Sequence, residues 1–342
     1  MRYLITGHTG FKGSWLSLML HLQGHVVSGI SLNPPKNSLF EKAGLKKIMG
    51  FDFRIDIRDL GSLNKAIAAI QPEVIIHLAA QSLVRESYRN PLETFETNLM
   101  GTLNLLEASK KADNLRATLI VTTDKVYKNV NKISGYIESD ELGGWDPYSA
   151  SKAAADLATQ SWVKCFGRAP VSIARSGNVI GGGDFASDRI IPDLIKAISK
   201  NEMAVIRYPE AIRPWQHVLD CLNGYTTLIE RMISSGLEGQ WNFGPSLVEK
   251  YTVADLIEKF TRSCGIEKTI WTRDKTQQPY ESSYLLLDST KARELLNWKE
   301  FLDFQNSVDW TADWTQSEKP EFDKMISQIN LFFNLNNTVV LK

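Results

Sequence analysis

The chain has 342 residues, and its 39 Lys and Arg are balanced by 39 Asp and Glu, so the formal net charge is zero. That balance excludes the basic face of a nucleic-acid or membrane-surface binder. With 43% hydrophobic and 23% charged residues, the composition excludes disordered, collagenous and coiled-coil proteins and fits about two domains, or one large α/β unit carrying an insertion.

Along the first half, short apolar runs alternate with helical patterns. Strands are predicted over 3–6, 26–31, 74–78, 118–122 and 171–174, and helices over 15–23, 60–70, 92–111 and 148–164. This order means parallel βα units. The strands are continuous apolar runs, such as Val74-Ile75-Ile76 and Leu119-Ile120-Val121, as a sheet covered by helices on both faces requires. The fold class is therefore α/β, a doubly wound parallel sheet, with ligands expected at the carboxyl ends of the strands.

After Ala174 the pattern loosens into Gly181-Gly182-Gly183-Asp184, Arg213-Pro214-Trp215-Gln216-His217 and Trp241-Asn242-Phe243-Gly244-Pro245. Such loops line clefts. Helices recur over 218–234, 252–263 and 289–296, giving a smaller α+β region interleaved with pieces that return to the sheet. From Pro320 the pattern is amphipathic, without an assigned role. Cys165, Cys221 and Cys264 are odd in number and far apart, which argues against a disulfide framework or a zinc site. No export signal and no membrane span is expected, so the chain reads as cytoplasmic.

Thr6-Gly7-His8-Thr9-Gly10-Phe11-Lys12-Gly13 follows the first strand and opens the first helix. Gly7 permits a tight turn, Gly10 lets backbone N–H groups approach a pyrophosphate, and Gly13 permits close packing, with the anion at a helix N-terminus. In this context the loop reads as a dinucleotide site rather than a structural turn. The second strand ends in Ile30-Ser31-Leu32-Asn33, without the usual ribose-gripping carboxylate. Ser31 or Asn33 can bond a hydroxyl, and neither supplies charge for a 2′-phosphate, so NAD is favoured over NADP. In Asp56-Ile57-Arg58-Asp59, Asp56 offers an acceptor for an adenine amino group, while Asp59 also reads as a helix cap.

Tyr148 and Lys152 stand four apart on a predicted helix, hence on one face. An ammonium beside a phenol lowers its pKa, so Tyr148 can serve as a base toward a hydroxyl that loses hydride. A surface helix pair is the plainer alternative. Thr122-Thr123-Asp124-Lys125 ends the fifth strand, where Thr123 is the expected third partner. Asp124 and Lys125 at an apolar strand end invite acid/base work, against the alternative of an exposed charged turn.

These residues resemble the extended short-chain dehydrogenase/reductase family and, within it, the nucleotide-sugar 4,6-dehydratases. The likeness runs to about Trp298. It is carried by His8-Thr9-Gly10-Phe11-Lys12-Gly13-Ser14-Trp15-Leu16, Ala79-Ala80-Gln81, Leu83-Val84-Arg85, Arg175-Ser176-Gly177-Asn178-Val179-Ile180-Gly181-Gly182-Gly183-Asp184 and Arg213-Pro214-Trp215-Gln216-His217-Val218.

The resemblance implies a redox-neutral dehydration with NAD as the cofactor and CDP-glucose or a similar nucleotide sugar as the substrate. Tyr148, helped by Thr123 and Lys152, would deprotonate the 4-hydroxyl. An extra acid and an extra base are then needed, Asp124 and Lys125 respectively. Dehydratases of dTDP-glucose have Asp-Glu there, whereas the Asp-Lys pair is what CDP-glucose and UDP-N-acetylhexosamine dehydratases are expected to have.

The resemblance further implies that Gly7, Thr9, Gly10, Phe11, Lys12, Gly13, Ser31, Asp56, Ile57, Leu78, Ala79, Ala80, Asn98, Tyr148 and Lys152 hold the cofactor. Gln81, Ser82, Arg85, Asn178, Arg189, Arg213, His217 and Tyr284 would face the substrate. Asn98 is an even choice between supporting the catalytic helix and a core or capping role, and Tyr284 between substrate and packing. His77 reads as a core histidine, and no metal site is visible. The Rossmann-type NAD domain is expected over 1–176 and about 207–237, the sugar-nucleotide region over about 177–206 and 238–319, and a tail over 320–342. Helices 92–111 and 148–164 resemble those that pair in a homodimer, or in a dimer of dimers. The expected product feeds deoxysugar formation for a surface polysaccharide such as O-antigen.

Overall fold

A computed structural model describes residues 1–276 and 281–335. Its first half is β1 (Arg2–Thr6), α1 (Phe11–Leu22), β2 (Val26–Ser31), α2 (Leu39–Lys42), β3 (Met49–Arg54), α3 (Leu60–Ile70), β4 (Val74–His77), α4 (Val84–Arg89), α5 (Pro91–Phe95), α6 (Gly101–Ser109), β5 (Ala117–Val121), α7 (Pro147–Phe166) and β6 (Val171–Ser176). The second half is β7 (Val179–Ile180), α8 (Ile190–Lys200), β8 (Ala204–Ile206), β9 (Ile212–Arg213), β10 (Gln216–His217), α9 (Val218–Ser235), β11 (Gly239–Phe243), β12 (Tyr251–Thr252), α10 (Val253–Ser263), β13 (Trp271–Arg273), α11 (Thr290–Leu296), α12 (Phe304–Gln316) and α13 (Glu321–Leu335).

Seven strands form one sheet in the order β11-β6-β5-β4-β1-β2-β3, and every pairing in it is parallel. The continuous apolar runs have the expected cause. In β1, Tyr3 and Ile5 enter the core beneath α1 and α9, while Leu4 enters the core beneath α3 and α6. The order reverses between β1 and β4, which opens a crevice at their carboxyl ends. A third core, including Leu194, Trp215, Leu256, Phe260 and Val308, holds the smaller region together.

Two features differ from the sequence reading. The helix expected over 92–111 is interrupted by a wider π-helical turn, Glu96–Met100, between α5 and α6. The boundaries between regions are also crossed more often than periodicity suggests. β9 and β10 pair with β12 and β7 in small sheets, whereas β11 completes the large sheet. Ala292, Leu296, Trp298 and Leu302 pack beneath it, as do Met325, Ile329, Phe332 and Phe333 of the tail. The tail's apolar stripe thus belongs to the core around Trp15. No helix among the described residues is long and apolar enough to cross a membrane.

Candidate active site

The carboxyl ends of the central strands open into a cleft of about 1100 Å³. Its floor is the glycine loop. Gly7 has φ +74°, and a Cβ there would lie 2.8 Å from the Ala79 nitrogen, so the turn after β1 touches the segment after β4. A Cβ on Gly13 would lie 2.2 Å from the Gly7 carbonyl oxygen. Gly10 caps α1 without a side-chain bond, leaving the first backbone N–H groups of that helix for an anion. A bare helix start in a cradle that Cβ atoms would fill fits a dinucleotide pyrophosphate.

Gly7, Thr9, Gly10, Phe11, Lys12 and Gly13 all line this cleft, as do Ser31, Asp56, Ile57, Leu78, Ala79 and Ala80. Thr9 and Ser31 hydroxyls bond each other at 2.6 Å, so Ser31 stands where β2 meets the loop. Asp56 is less free than expected. Its carboxylate is bound by the Arg58 side chain at 2.6 Å, which holds its pKa below the usual carboxylate range. Asp59 caps α3 by accepting from Ser62 N at 3.0 Å. Lys12 turns toward β6, donating to Ser176 Oγ at 2.8 Å and to the Tyr225 hydroxyl at 3.2 Å.

The catalytic candidates converge at the end of β5. Thr123 caps the short turn Asp124–Val126. Its Oγ1 accepts from Lys125 N at 3.4 Å and donates to Asp124 Oδ1 at 3.0 Å. Asp124 is 2% exposed, and its Oδ2 has no partner among the described residues. Burial raises its pKa against the opposing charges of Lys125, Arg213 and Lys12. The exposed charged turn is therefore excluded for Asp124.

Tyr148 and Lys152 share the buried face of α7, whose start is fixed by Asp146 accepting from Ser149 N at 2.9 Å. The surface-pair alternative is thereby excluded. The expected lowering of the phenol pKa is corrected. Burial pushes Tyr148 up to about 12, outweighing the opposing influence of the Thr123 hydroxyl. Burial pulls Lys152 down to about 8, with Asp156 opposing that shift, and its Nζ donates to the Val121 carbonyl at 2.8 Å.

Beneath these groups lies a buried ion pair that sequence reasoning missed. Arg175 on β6 grips Asp156 on α7 through two bonds of 2.8 Å, and Thr122 donates to Asp156 at 3.1 Å. One guanidinium thus ties the sheet to the catalytic helix, because a buried charge must be paired.

On the substrate side, Gln81, Ser82, Arg85, Asn178, Arg189 and Arg213 line the cleft. Gln81 spends its side chain on Thr94 and on Leu83 N. Arg85 pairs with Asp188 at 3.1 Å and Arg189 with Asp184 at 3.3 Å. Arg213 is buried and pairs with Glu281 at 2.9 Å. Glu281 also lines the cleft and interacts electrostatically with Lys125. No local pattern marked it.

Three predicted residues lie outside the cleft wall. His217 is fully buried, caps α9 by accepting from Leu219 N at 3.3 Å, and packs edge-on against Trp310. Its burial pulls its pKa down to about 3, so it is a structural residue. Tyr284 bridges to Ile212 through the backbone, beneath the Lys250 ammonium. Asn98 sits in the π-helical turn, accepts from Gln81 N at 2.9 Å and donates to Ser151 Oγ at 2.9 Å. It braces α7 and does not line the cleft. His77 is bonded to Thr6 and Thr102 inside the core, as expected. Among the described residues no group of His, Cys, Asp and Glu is arranged to hold a metal ion.

Comparison with known proteins follows the same outline. The family profile described as GDP-mannose 4,6 dehydratase matches residues 4–311. The chain is 41% identical over 333 residues to CDP-glucose 4,6-dehydratase of Salmonella typhimurium, covering 93% of this chain and 92% of the relative. It is 27% identical to a probable dTDP-glucose 4,6-dehydratase of Sinorhizobium fredii, covering 92% of both. Among solved structures, DesIV, a dTDP-glucose 4,6-dehydratase from Streptomyces venezuelae with NAD and TYD bound, superposes with a TM-score of 0.81 at 22% identity, covering 95% of this chain and 100% of that one. UDP-glucose 4-epimerase of Thermus thermophilus in complex with NAD gives 0.80 at 24% identity, covering 93% and 100%.

Proposed function

The chain belongs to the GDP-mannose 4,6-dehydratase family, and from that premise we propose that it is an NAD-dependent CDP-glucose 4,6-dehydratase, a hydro-lyase that converts CDP-glucose to CDP-4-keto-6-deoxyglucose and water. The observation that carries this reading is the pair Asp124 and Lys125 lining one cleft with Thr123, Tyr148 and Lys152. A 4-epimerase needs the last three and has no use for a second acid and base. The choice of CDP rests on likeness along the whole chain to the Salmonella relative.

The chemistry follows from where each group stands. NAD, when bound, supplies the acceptor for the hydride leaving C4 and, once reduced, the donor of that hydride to C6. Tyr148 takes the 4-hydroxyl proton as hydride leaves C4. The resulting ketone acidifies the C5 proton, which Lys125 removes as the base. Asp124, whose pKa burial raises, donates from its carboxyl as the C6 hydroxyl departs as water. Lys125 then returns its proton to C5 as hydride reaches C6. Every atom of the starting sugar is accounted for in the 4-keto-6-deoxy sugar and one water.

The glycine loop and the start of α1 hold the pyrophosphate, Thr9 and Ser31 face the adenosine ribose, and Arg189 and Arg213 hold the sugar diphosphate. Exposed Leu92 and Met100 on one helical pair and Leu157 and Phe166 on α7 support a homodimer through these helices. Free Cys165, Cys221 and Cys264 support a cytoplasmic location.

The test is mass spectrometry of the protein incubated with NAD and, separately, CDP-, dTDP-, UDP- and GDP-glucose. Loss of one water from CDP-glucose alone is expected. An epimer of unchanged mass would replace this reading by the epimerase. Lys125→Ala should abolish exchange of the C5 proton with deuterated solvent, and unchanged exchange would remove Lys125 as the base.

A further inference from the structure

The two arginines assigned to the sugar diphosphate differ in exposure. The Arg189 side chain is 36% exposed, whereas that of Arg213 is 2% exposed. Water can serve the first when no ligand is bound, but a buried guanidinium needs an anion at all times. Glu281 is that anion. Arg213 Nη2 donates to Glu281 Oε1 at 2.9 Å, and both residues line the cleft. Burial alone would raise the pKa of the Glu281 carboxyl, yet the charges of Lys125 and Arg213 hold it below the usual carboxylate range. A carboxylate therefore stands on the guanidinium that a phosphate is to occupy.

The two partners are not equally free to move. Arg213 belongs to β9, whose backbone pairs with Tyr251 of β12, and its Nη1 is tied to the Ile212 carbonyl at 2.9 Å. Glu281 belongs to no helix or strand, and its side chain is 33% exposed. The carboxylate can turn toward solvent while the guanidinium stays in place. A phosphate and a carboxylate held on one guanidinium repel each other strongly where water is scarce. The diphosphate brings the larger charge, and Arg189 as a second anchor, so the carboxylate is the group that yields.

We propose that Glu281 is the counterion of Arg213 in the empty site and that the substrate diphosphate displaces it, so that Glu281 sets how tightly sugar nucleotides are held. Binding exchanges one ion pair for another. The contact between Arg213 and the carboxylate opens, that between Arg213 and phosphate closes, and Glu281 turns to water. Arg213 has an anionic partner before and after. The exchange lowers net affinity by what the carboxylate contact contributes, and it does so equally for the product, which keeps the same diphosphate. Return of Glu281 to Arg213 thus favours product release.

The proposal rests on the dehydratase reading, and its test separates the two. The NAD-loaded wild type and Glu281→Gln are titrated with CDP by calorimetry, and KM for CDP-glucose is measured alongside. The amide keeps the shape of the side chain and removes its charge. Glu281→Gln should bind CDP about tenfold or more tightly than the wild type, and KM should fall with Kd. Without CDP the variant should melt below the wild type, because Arg213 has lost its charged partner, and saturating CDP should raise its melting temperature by more than it raises that of the wild type. Weaker CDP binding in Glu281→Gln would overturn the proposal and make Glu281 a positioning residue that orients Arg213 for phosphate. An unchanged Kd would overturn it as well. So would failure of the variant to refold with NAD and CDP present, because CDP should replace the carboxylate as the partner of Arg213. A wild type that neither binds CDP nor removes water from CDP-glucose would overturn the reading beneath the proposal.

Discussion

Replacing Asp124 by Asn removes the acid of the elimination step while preserving nearly all else that the carboxyl does. The amide oxygen can still accept from Thr123, as Oδ1 does at 3.0 Å. What is lost is the proton presented by a side chain that is 2% exposed and has one unpartnered oxygen. No water route replaces it readily. A positioned general acid contributes about 10² to 10⁴ in rate, so kcat for water loss should fall by that factor, equivalent to about 3 to 5 kcal/mol in the barrier. The fold should not suffer, because burial already disfavours the charged form and the amide carries none. The assay is a single turnover with CDP-glucose, following reduced-nicotinamide absorbance and the dehydrated product together. In the variant, C4 oxidation should proceed while product formation lags, so reduced cofactor persists. Equal loss of both signals, or product at the wild-type rate, would refute Asp124 as the acid.

Tyr148→Phe should lower kcat by about 10² to 10⁴ with NAD binding retained, as read by steady-state kinetics and calorimetry. Gly13→Ala places a Cβ 2.2 Å from the Gly7 carbonyl and should weaken NAD binding by about tenfold or more, roughly 1.4 kcal/mol, measured by titration calorimetry. Phe332→Ala opens a cavity in the core under α13 and should cost about 3 to 5 kcal/mol in urea unfolding. Asp220 accepts from Phe301 N and Leu302 N, and burial raises its pKa to about 7 from 3.8. A raised carboxyl pKa means that the folded state holds its proton longer. The stabilisation is complete below the ordinary carboxylate pKa and is lost as pH rises through about 7, up to about 4 kcal/mol. Asp220→Asn should flatten urea midpoints across that window, and an unchanged slope would refute the assignment.

How much of this was legible in the sequence depended on how local each feature is. The glycine loop, the Tyr148/Lys152 pair and the strand end at Thr123 are short motifs whose neighbours in the chain are also their neighbours in space. The structure brings them to one cleft, and the α/β class stands in the seven-stranded parallel sheet. The phenol pKa departs from the sequence reading because burial raises it, and spacing along a helix does not reveal burial. His217 shares a motif with Arg213 but faces inward, since its ring satisfies the start of α9, and motif wording does not reveal orientation. Glu281 meets Arg213 across a separation no periodicity encodes. Arg175 and Asp156 each look like ordinary charged positions until β6 and α7 are brought together. The tail from Pro320 showed its amphipathic stripe, but only the assembled core shows what that stripe covers.

The measurement that tests the central claim most directly is the fate of hydrogen at C4. CDP-glucose carrying deuterium at C4 is converted by the NAD-loaded protein, and the product is read by NMR. Internal dehydration predicts a 4-keto-6-deoxy sugar with the deuterium in the C6 methyl group. Deuterium retained at C4 of an unreduced hexose would show epimerase chemistry, and deuterium missing from a dehydrated product would contradict the closed hydride circuit on which the account rests.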